Sequence, residues 1–375
     1  MNPKAFLVAM GLAALAGLVV AAHREEAAAG EVPTAAGDYK VLEPIRHGNL
    51  TVFPVVVARS YDTNEFLTLD EGLRSGEVVV TESGNVQGLI RRPPHGGAVL
   101  HPRTGPQVNT LVLVNNSKRP LLLLAGEIVT GGKQDRVIAK DRIVPAESDP
   151  VDLGVFCVEP GRWVASSDNF GSLKMAMAAP SVRGSAMADK DQQKVWEQVG
   201  RTKDQMTVEV EAAATPSAAP MAGRELRSTT SYAKVMQNEA VQQQVDSVAK
   251  PVEESYASTI RQLRDRHAVG VVVAVSGQIV WADVFASTSL LEKYWPKLVR
   301  SYATEAVVTR AKGAQVSEKM AEEFLEQMQG RHETVDSEPG LYRHTEISGD
   351  GFKAFYLTSL LPKTGFVVHI AKMAE

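Results

Sequence analysis

Between Tyr39 and Trp163 the chain is written in short β-type runs: Thr51 to Val57, Glu77 to Thr81, Asn109 to Val114, Leu121 to Leu124, Arg136 to Val144, and Val151 to Val158. Turn residues bound most of them, as Asn115, Asn116, Ser117 and Pro120 do between two runs, and strands joined in this way pair antiparallel. Leu121 to Leu124 has no polar alternation, which predicts a strand covered on both faces. Leu69 to Arg74 reads as a helical turn stopped by Gly76.

The second half is written differently. Residues 165–188 are rich in Ala, Ser, Met and Gly, and a charged helical segment follows over Lys190 to Gln205. Residues 211–229, with two prolines and a run of alanines, read as a linker or surface loop. Tyr232 to Arg266 is helical and polar, with Tyr256, Ile260 and Leu263 on one face. Gly270 to Val275 and Gln278 to Phe285 are β runs separated by Ser276 and Gly277, a two-residue hairpin turn. Ser287 or Ser289 then caps a helix striped by Leu291, Tyr294, Leu298 and Tyr302, in which Pro296 predicts a kink or break. Another helix, Ser317 to Met328, precedes three β runs at Leu341 to Ile347, Phe352 to Leu360 and Gly365 to Ile370. No period repeats, which argues against a solenoid or propeller. Antiparallel strands with helices grouped between them define an α+β fold. The expected boundaries are 39–310 for the main domain and 315–375 for a C-terminal extension that either lengthens the same sheet or stands apart.

The N-terminus reads as an export signal. Lys4 supplies a short positive region, Ala5 to Ala22 is an uncharged apolar stretch, and Val20 and Ala22 suit a cleavage site. At 18 residues the stretch is also near the lower limit for a membrane anchor. The expected location is therefore secreted or periplasmic, with anchoring by residues 5–22 as the alternative, and 23–38 as a flexible lead. Any membrane contact is confined to that segment. Forty Lys and Arg against 44 Asp and Glu give a net charge of −4, so no global cationic field draws in nucleic acid. A single cysteine, Cys157, excludes an internal disulfide framework and any multi-cysteine metal site.

Signatures of metalloproteases, serine hydrolases, dithiol redox proteins and calcium loops are absent. His95 and His101 share a loop without a nearby carboxylate, which reads as solvated; no metal or cofactor is expected. Two places carry more. The first is Gly126-Glu127 followed by Gly131-Gly132-Lys133-Gln134-Asp135-Arg136. Glu at 127 and Gln at 134 rule out a nucleotide phosphate loop. What remains is a glycine-hinged turn that offers a carboxylate, an ammonium, an amide and a guanidinium to an anionic or hydroxyl-rich ligand. Alternatively, Glu127 pairs with Lys133 or Arg136 and only braces the turn. The second is Cys157-Val158-Glu159-Pro160-Gly161-Arg162-Trp163. It resembles the anion-cradling loops of rhodaneses and cysteine phosphatases, but Pro160 removes an N–H and the spacing is one residue short. Cys157 then reads as a small buried hydrophobe. Arg162 and Trp163 either bind phosphate and stack on a base, or form a core tryptophan beside a Glu159–Arg162 salt bridge.

GNLTVFPV, FLTLDEGLRSGEVVVTE, LLLLAGEIVTGGKQDRV, FCVEPGRW and ADVFASTSLLEKYWPKLVRSYA resemble, in order, the blocks of the ARG (ADP-ribosylglycohydrolase) and rhodanese-phosphatase-superfamily-associated protein domain, from about residue 40 to 310. The resemblance carries recurring polar positions onto Glu127, Lys133, Gln134, Arg136, Glu159, Arg162 and Trp163, and onto Trp295, Lys297, Ser301 and Tyr302. Gly132 stands where alanine is common, and Asp135 where asparagine is common. The resemblance implies a link to ADP-ribose and NAD-related enzymes and fixes no reaction. Two functions are carried forward. One is a binding module whose 127–136 and 159–163 turns converge on a phosphorylated or sugar-like ligand held by Lys133, Gln134, Arg136, Arg162 and Trp163. The other is a hydrolase or transferase on ADP-ribose-like esters, with Glu127 or Glu159 as general base and Lys133 or Arg136 on the phosphate. A third reading makes the clusters structural ion pairs in an envelope protein that meets protein partners through its helices.

Overall fold

Each apolar run of the first half forms a strand whose ends lie within a few residues of the expected ones, and Arg136 to Val144 divides in two. In a computed structural model, which describes residues 39–85, 89, 106–309, 314–338 and 340–375, the strands run in this order. β1 (Lys40–Val41), β2 (Ile45–His47), β3 (Leu50–Val57) and β4 (Leu67–Thr68) lead into helix α1 (Leu69–Ser75). They are followed by β5 (Val78–Glu82), β6 (Thr110–Asn115), β7 (Leu121–Leu123), β8 (Glu127–Thr130), β9 (Arg136–Ile138), β10 (Arg142–Val144), β11 (Val151–Cys157) and β12 (Gly171–Met177). Next come α2 (Pro180–Gly184), a π turn over Ser185–Asp189, α3 (Gln192–Ala213), α4 (Ala219–Ser228), α5 (Tyr232–Gln237) and α6 (Glu239–Arg261). The hairpin β13 (His267–Val275) and β14 (Gln278–Phe285), helices α7 (Thr288–Val308) and α8 (Glu318–Glu326), and strands β15 (Gly330–Glu338), β16 (Tyr342–Gly349), β17 (Phe352–Ser359) and β18 (Val367–Ala374) complete the fold. The apolar stretch 5–22, the lead 23–38, and His95 and His101 lie outside the described residues.

The strands form three sheets. The largest has the order β1-β3-β13-β14-β18-β17-β16-β15, with β2 also pairing with β3. A second sheet has the order β12-β8-β9-β11-β6-β5, and a third, β10-β7-β4, contains a parallel β4–β7 pair. Every other recorded ladder is antiparallel, as α+β topology requires. β7 is buried on both sides: Leu122 and Leu124 enter the larger core, and Leu121 and Leu123 the smaller one.

Local chemistry accounts for several boundaries. Thr68 caps α1 in a reciprocal box with Glu71, and Gly76 ends the helix at φ 69°. Ser276 and Gly277 take φ 52° and 78°, the left-handed pair that closes a two-residue hairpin. Ser287, not Ser289, caps α7 by accepting from the Leu290 N–H.

Two expectations change, and one left open is decided. Pro296 does not interrupt α7, whose buried Tyr294, Leu298 and Tyr302 hold it against the core across the missing hydrogen bond. The supposed loop at 211–229 is mostly helix: α3 runs to Ala213, Pro216 follows it, and Pro220 sits in the first turn of α4. Alanine is the strongest helix former, and proline is tolerated in a first turn. Finally, β15 to β18 are continuous with the large sheet through β14–β18 pairing, so the C-terminal strands lengthen that sheet. The described residues form one unit. Among the described residues, no helix is long and apolar enough to cross a membrane.

Candidate functional site

The β8–β9 turn, residues 131–135, needs left-handed backbone at its first two positions, and Gly131 and Gly132 supply φ 130° and 47°. A Cβ on Gly132 would lie 2.2 Å from the Phe170 ring and 2.6 Å from Glu82 Oε1, so this turn is also tightly packed. The second turn follows β11, where Gly161 takes φ 91°.

The two turns meet. Arg162 bridges them: its guanidinium donates to the Gly132 carbonyl at 2.8 Å and the Gly131 carbonyl at 3.3 Å. It also pairs with Glu159 at 2.6 Å and Asp135 at 3.5 Å, and donates to the Val164 carbonyl at 2.8 Å. Glu159 in turn accepts the Asp135 N–H at 3.2 Å, and Gln134 Nε2 donates to the Glu159 carbonyl at 3.2 Å. Asp135 additionally accepts from Ser231 at 2.8 Å and from the Gly131 N–H at 3.1 Å. Burial, then the neighbouring Glu159, push the Asp135 carboxyl up, although the Ser231 hydroxyl counters them. Arg162 and Glu159 are thus spent on holding the loops together. The Glu159–Arg162 salt bridge is formed, but beside a part-exposed Trp163 rather than a core one.

The groups left over face a different task. Trp163 is 40% exposed, with Lys133 Nζ 5.2 Å and the Arg136 guanidinium 5.9 Å from its ring centroid. Arg136 is fully buried; its Nε donates to the Val108 carbonyl at 2.8 Å, yet its Nη2 has no hydrogen-bond partner among the described residues. Burial lowers its pKa, against the pull of Cys157 and Glu82. The same lack holds for buried Gln134 Oε1 and Glu82 Oε2, while Glu82 Oε1 accepts the Lys133 N–H at 2.7 Å. Leaving a buried charged donor unmet costs about 1–3 kcal/mol or more. A ligand with anionic and hydroxyl groups would satisfy all three atoms, and the indole face would take a flat apolar part. Glu82 is new to this set; its position at the end of β5, far from both motifs, offered no signal.

Cys157 is buried beneath this site. Its sulfur accepts the Glu159 N–H at 3.3 Å, Gln192 brackets its backbone, and burial pushes the thiol pKa up. A protonated, enclosed thiol is a poor nucleophile, which fits a small buried hydrophobe.

Glu127 lies elsewhere. It pairs neither with Lys133 nor with Arg136 but with Lys297 of α7 at 2.6 Å, and its other oxygen accepts the Leu124 N–H at 2.8 Å. Lys297 also pairs with Asp70 at 2.6 Å. Burial and Asp70 raise the Glu127 pKa against the pull of Lys297, while the two carboxylates together overcome burial and raise that of Lys297. This enclosed ion triad ties β8, α1 and α7 together.

A second enclosed network escaped sequence reading altogether. Arg183 donates to both oxygens of Asp283, at 2.8 and 2.9 Å, and Tyr302 donates to the same carboxylate. His369 bridges Asp283 at 3.1 Å and Asp141 at 2.5 Å, and Asp141 also accepts the Ala125 N–H at 2.7 Å. Burial opposes the imidazolium, but Asp141 and Asp283 outweigh it and raise the His369 pKa to about 9. Arg183, followed by His369, likewise holds Asp283 well below the carboxylate range despite its burial. Among these residues only Tyr302 stands at a position that the family resemblance marks. Among the described residues, no group of three or more His, Cys, Asp and Glu is arranged to hold a metal ion.

The fold and the ordered blocks around these turns define a domain class rather than a reaction. The family model of the ARG and Rhodanese-Phosphatase-superfamily-associated Protein domain matches residues 38–373, and the chain belongs to that family. The match includes the C-terminal strands of the large sheet. No curated protein and no solved structure matches the chain.

Proposed function

We propose that the chain is an exported binding domain for a small phosphorylated or sugar-like ligand, held over Trp163 by Lys133, Arg136, Gln134 and Glu82. The observation that carries this reading is the fully buried Arg136, whose Nη2 lacks a partner among the described residues, as do the buried Glu82 Oε2 and Gln134 Oε1. Phosphate engages Arg136 and Lys133, hydroxyl groups donate to Glu82 and Gln134, and a planar ring stacks on the indole. Arg162 shapes the site without touching the ligand. The family description makes ADP-ribose and NAD the first compounds to try. Location outside the cytoplasm is part of the proposal and comes from residues 1–22.

The test is a thermal-shift screen of the full chain against ADP-ribose, NAD, nucleotides and sugar phosphates. A ligand at 100 times its dissociation constant adds about 2.7 kcal/mol of stability. The expected result is a shift that disappears in Arg136→Met and Trp163→Ala. No shift with any of these compounds, or one unchanged in both variants, refutes the proposal.

A further inference from the structure

Apolar surface and charge meet at the Trp163 site. Among the described residues seven large apolar side chains stand exposed, and three of them, Val108, Trp163 and Val164, gather here. The Val108 carbonyl accepts Arg136 Nε at 2.8 Å, the Arg136 guanidinium lies 5.9 Å from the Trp163 ring centroid, and the Val164 carbonyl accepts from Arg162 at 2.8 Å. Val164 is the most exposed of the three, at 74%. A buried cation short of one bond therefore sits beside apolar surface open to solvent.

The charges around it are closely matched. Arg136 Nη2 is the donor left to meet, and Lys133 adds its ammonium over the indole. Glu82 opposes both: one oxygen accepts the Lys133 N–H at 2.7 Å, the other is buried and unmet among the described residues, and the carboxylate favours the charged form of Arg136. Two cations against one carboxylate leave room for a single negative charge. Arg162 adds nothing to this balance, because Glu159 at 2.6 Å and Asp135 at 3.5 Å already match it. A second negative charge on the ligand would be opposed by Glu82, Asp135 and Glu159, which belong to the 131–135 turn or accept its N–H groups. Like charges repel most where burial limits screening by water.

Phosphate chemistry divides on this point. A monoester carries about −1.5 to −2 at neutral pH, its second pKa being about 6, whereas a diester carries a single charge. A diester also brings a second substituent, so that hydroxyls on one arm can reach Glu82 and Gln134 while the other arm covers the valines. Given that this site binds phosphate as proposed above, we infer that it takes the phosphate as a singly charged diester with a planar or apolar arm and discriminates against monoesters, with Glu82 setting the preference.

The test is calorimetry of the full chain at about pH 8 with three probes that share one ring: methyl phenyl phosphate, singly charged; phenyl phosphate, almost doubly charged; and dimethyl phenyl phosphate, uncharged. The diester is expected to saturate and to bind about tenfold more tightly than either comparator, and about tenfold more tightly than dimethyl phosphate, which lacks the ring. In Glu82→Gln the margin over phenyl phosphate is expected to shrink to less than about threefold, because the opposing carboxylate is gone. A comparator binding as tightly as the diester, or a margin unchanged in Glu82→Gln, overturns the inference and leaves Trp163 a phosphate site. Saturation that persists in Arg136→Met places the probe elsewhere and overturns both. No saturation by the diester also overturns the inference, and the screen against nucleotides and sugar phosphates then decides separately whether the site binds phosphate. The probes are compared on the unaltered chain, so a variant that folds poorly does not decide the outcome.

Discussion

Replacing Asp283 by asparagine should be among the most damaging single changes in this protein. The carboxylate meets Arg183 through two bonds of 2.8 and 2.9 Å, His369 at 3.1 Å and the Tyr302 hydroxyl, with every side chain in the group fully buried. Asparagine keeps the shape but strands the Arg183 guanidinium as an uncompensated interior charge, at a cost of about 3–5 kcal/mol. The described residues, which run from 39 to 375 with interruptions, belong to one folded unit. At about 2.1 cal/mol/K per residue its unfolding entropy is about 0.7 kcal/mol/K, so the melting point should fall by about 4–7 °C. The assay is calorimetry of wild type, Asp283→Asn, Arg183→Met and the double variant. Because the double variant removes both charges, it should be more stable than the sum of the single losses implies, with a coupling of at least about 1 kcal/mol. A fall of less than about 1 °C in Asp283→Asn, or strictly additive losses, would refute the account of this network as a mutually compensated set of charges.

Arg136→Met should shift the melting point by less than about half as much as Asp283→Asn, since it removes a guanidinium already short of one partner, and calorimetry of the two side by side decides this. Glu127→Gln should lower stability by about 1–3 kcal/mol, because Lys297 keeps only Asp70, while any ligand found at the Trp163 site still binds; loss of binding would return Glu127 to the site. Gly132→Ala should cost about 1–3 kcal/mol, because alanine is strained at φ 47° and the new methyl meets the Phe170 ring, and an unchanged denaturation midpoint would show that backbone and ring both yield freely. The His369 imidazole should remain charged at neutral pH and titrate near 9 in an NMR titration. With its folded pKa raised above the unfolded value of about 6.5, its stabilising contribution is complete below pH 6.5 and is lost as pH rises through about 9. Titration at 6.5 would show that Asp141 and Asp283 do not hold it.

Elements whose causes are local could be read from the residues alone. Apolar runs with turn residues between them located most of the strands, Ser276-Gly277 closed its hairpin, and the unbroken Leu121 to Leu124 run announced a strand buried on both faces. Each of these depends on neighbours within a few residues, through backbone angles or side-chain alternation. β8, β12 and β15 were illegible for the same reason: they carry Glu, Lys and Gly where strand patterns expect alternating apolar residues, and they exist because a neighbouring strand pairs with them. The alanine-rich stretch at 211–229 misled because composition alone does not separate a helix broken by proline from a loop.

Which charges act together follows from packing. Both glycine turns could be read as polar clusters, but only packing showed that Arg162 is consumed in joining them and that Arg136 is left with an unmet donor. Glu127 finds its cation 170 positions away, Arg183 and Asp283 are separated by 100, and Asp141 and His369 by 228. No sequence period connects residues so far apart. What connects them is the cost of burying a charge alone, which the fold meets by bringing opposite charges from distant strands and helices to the same interior point.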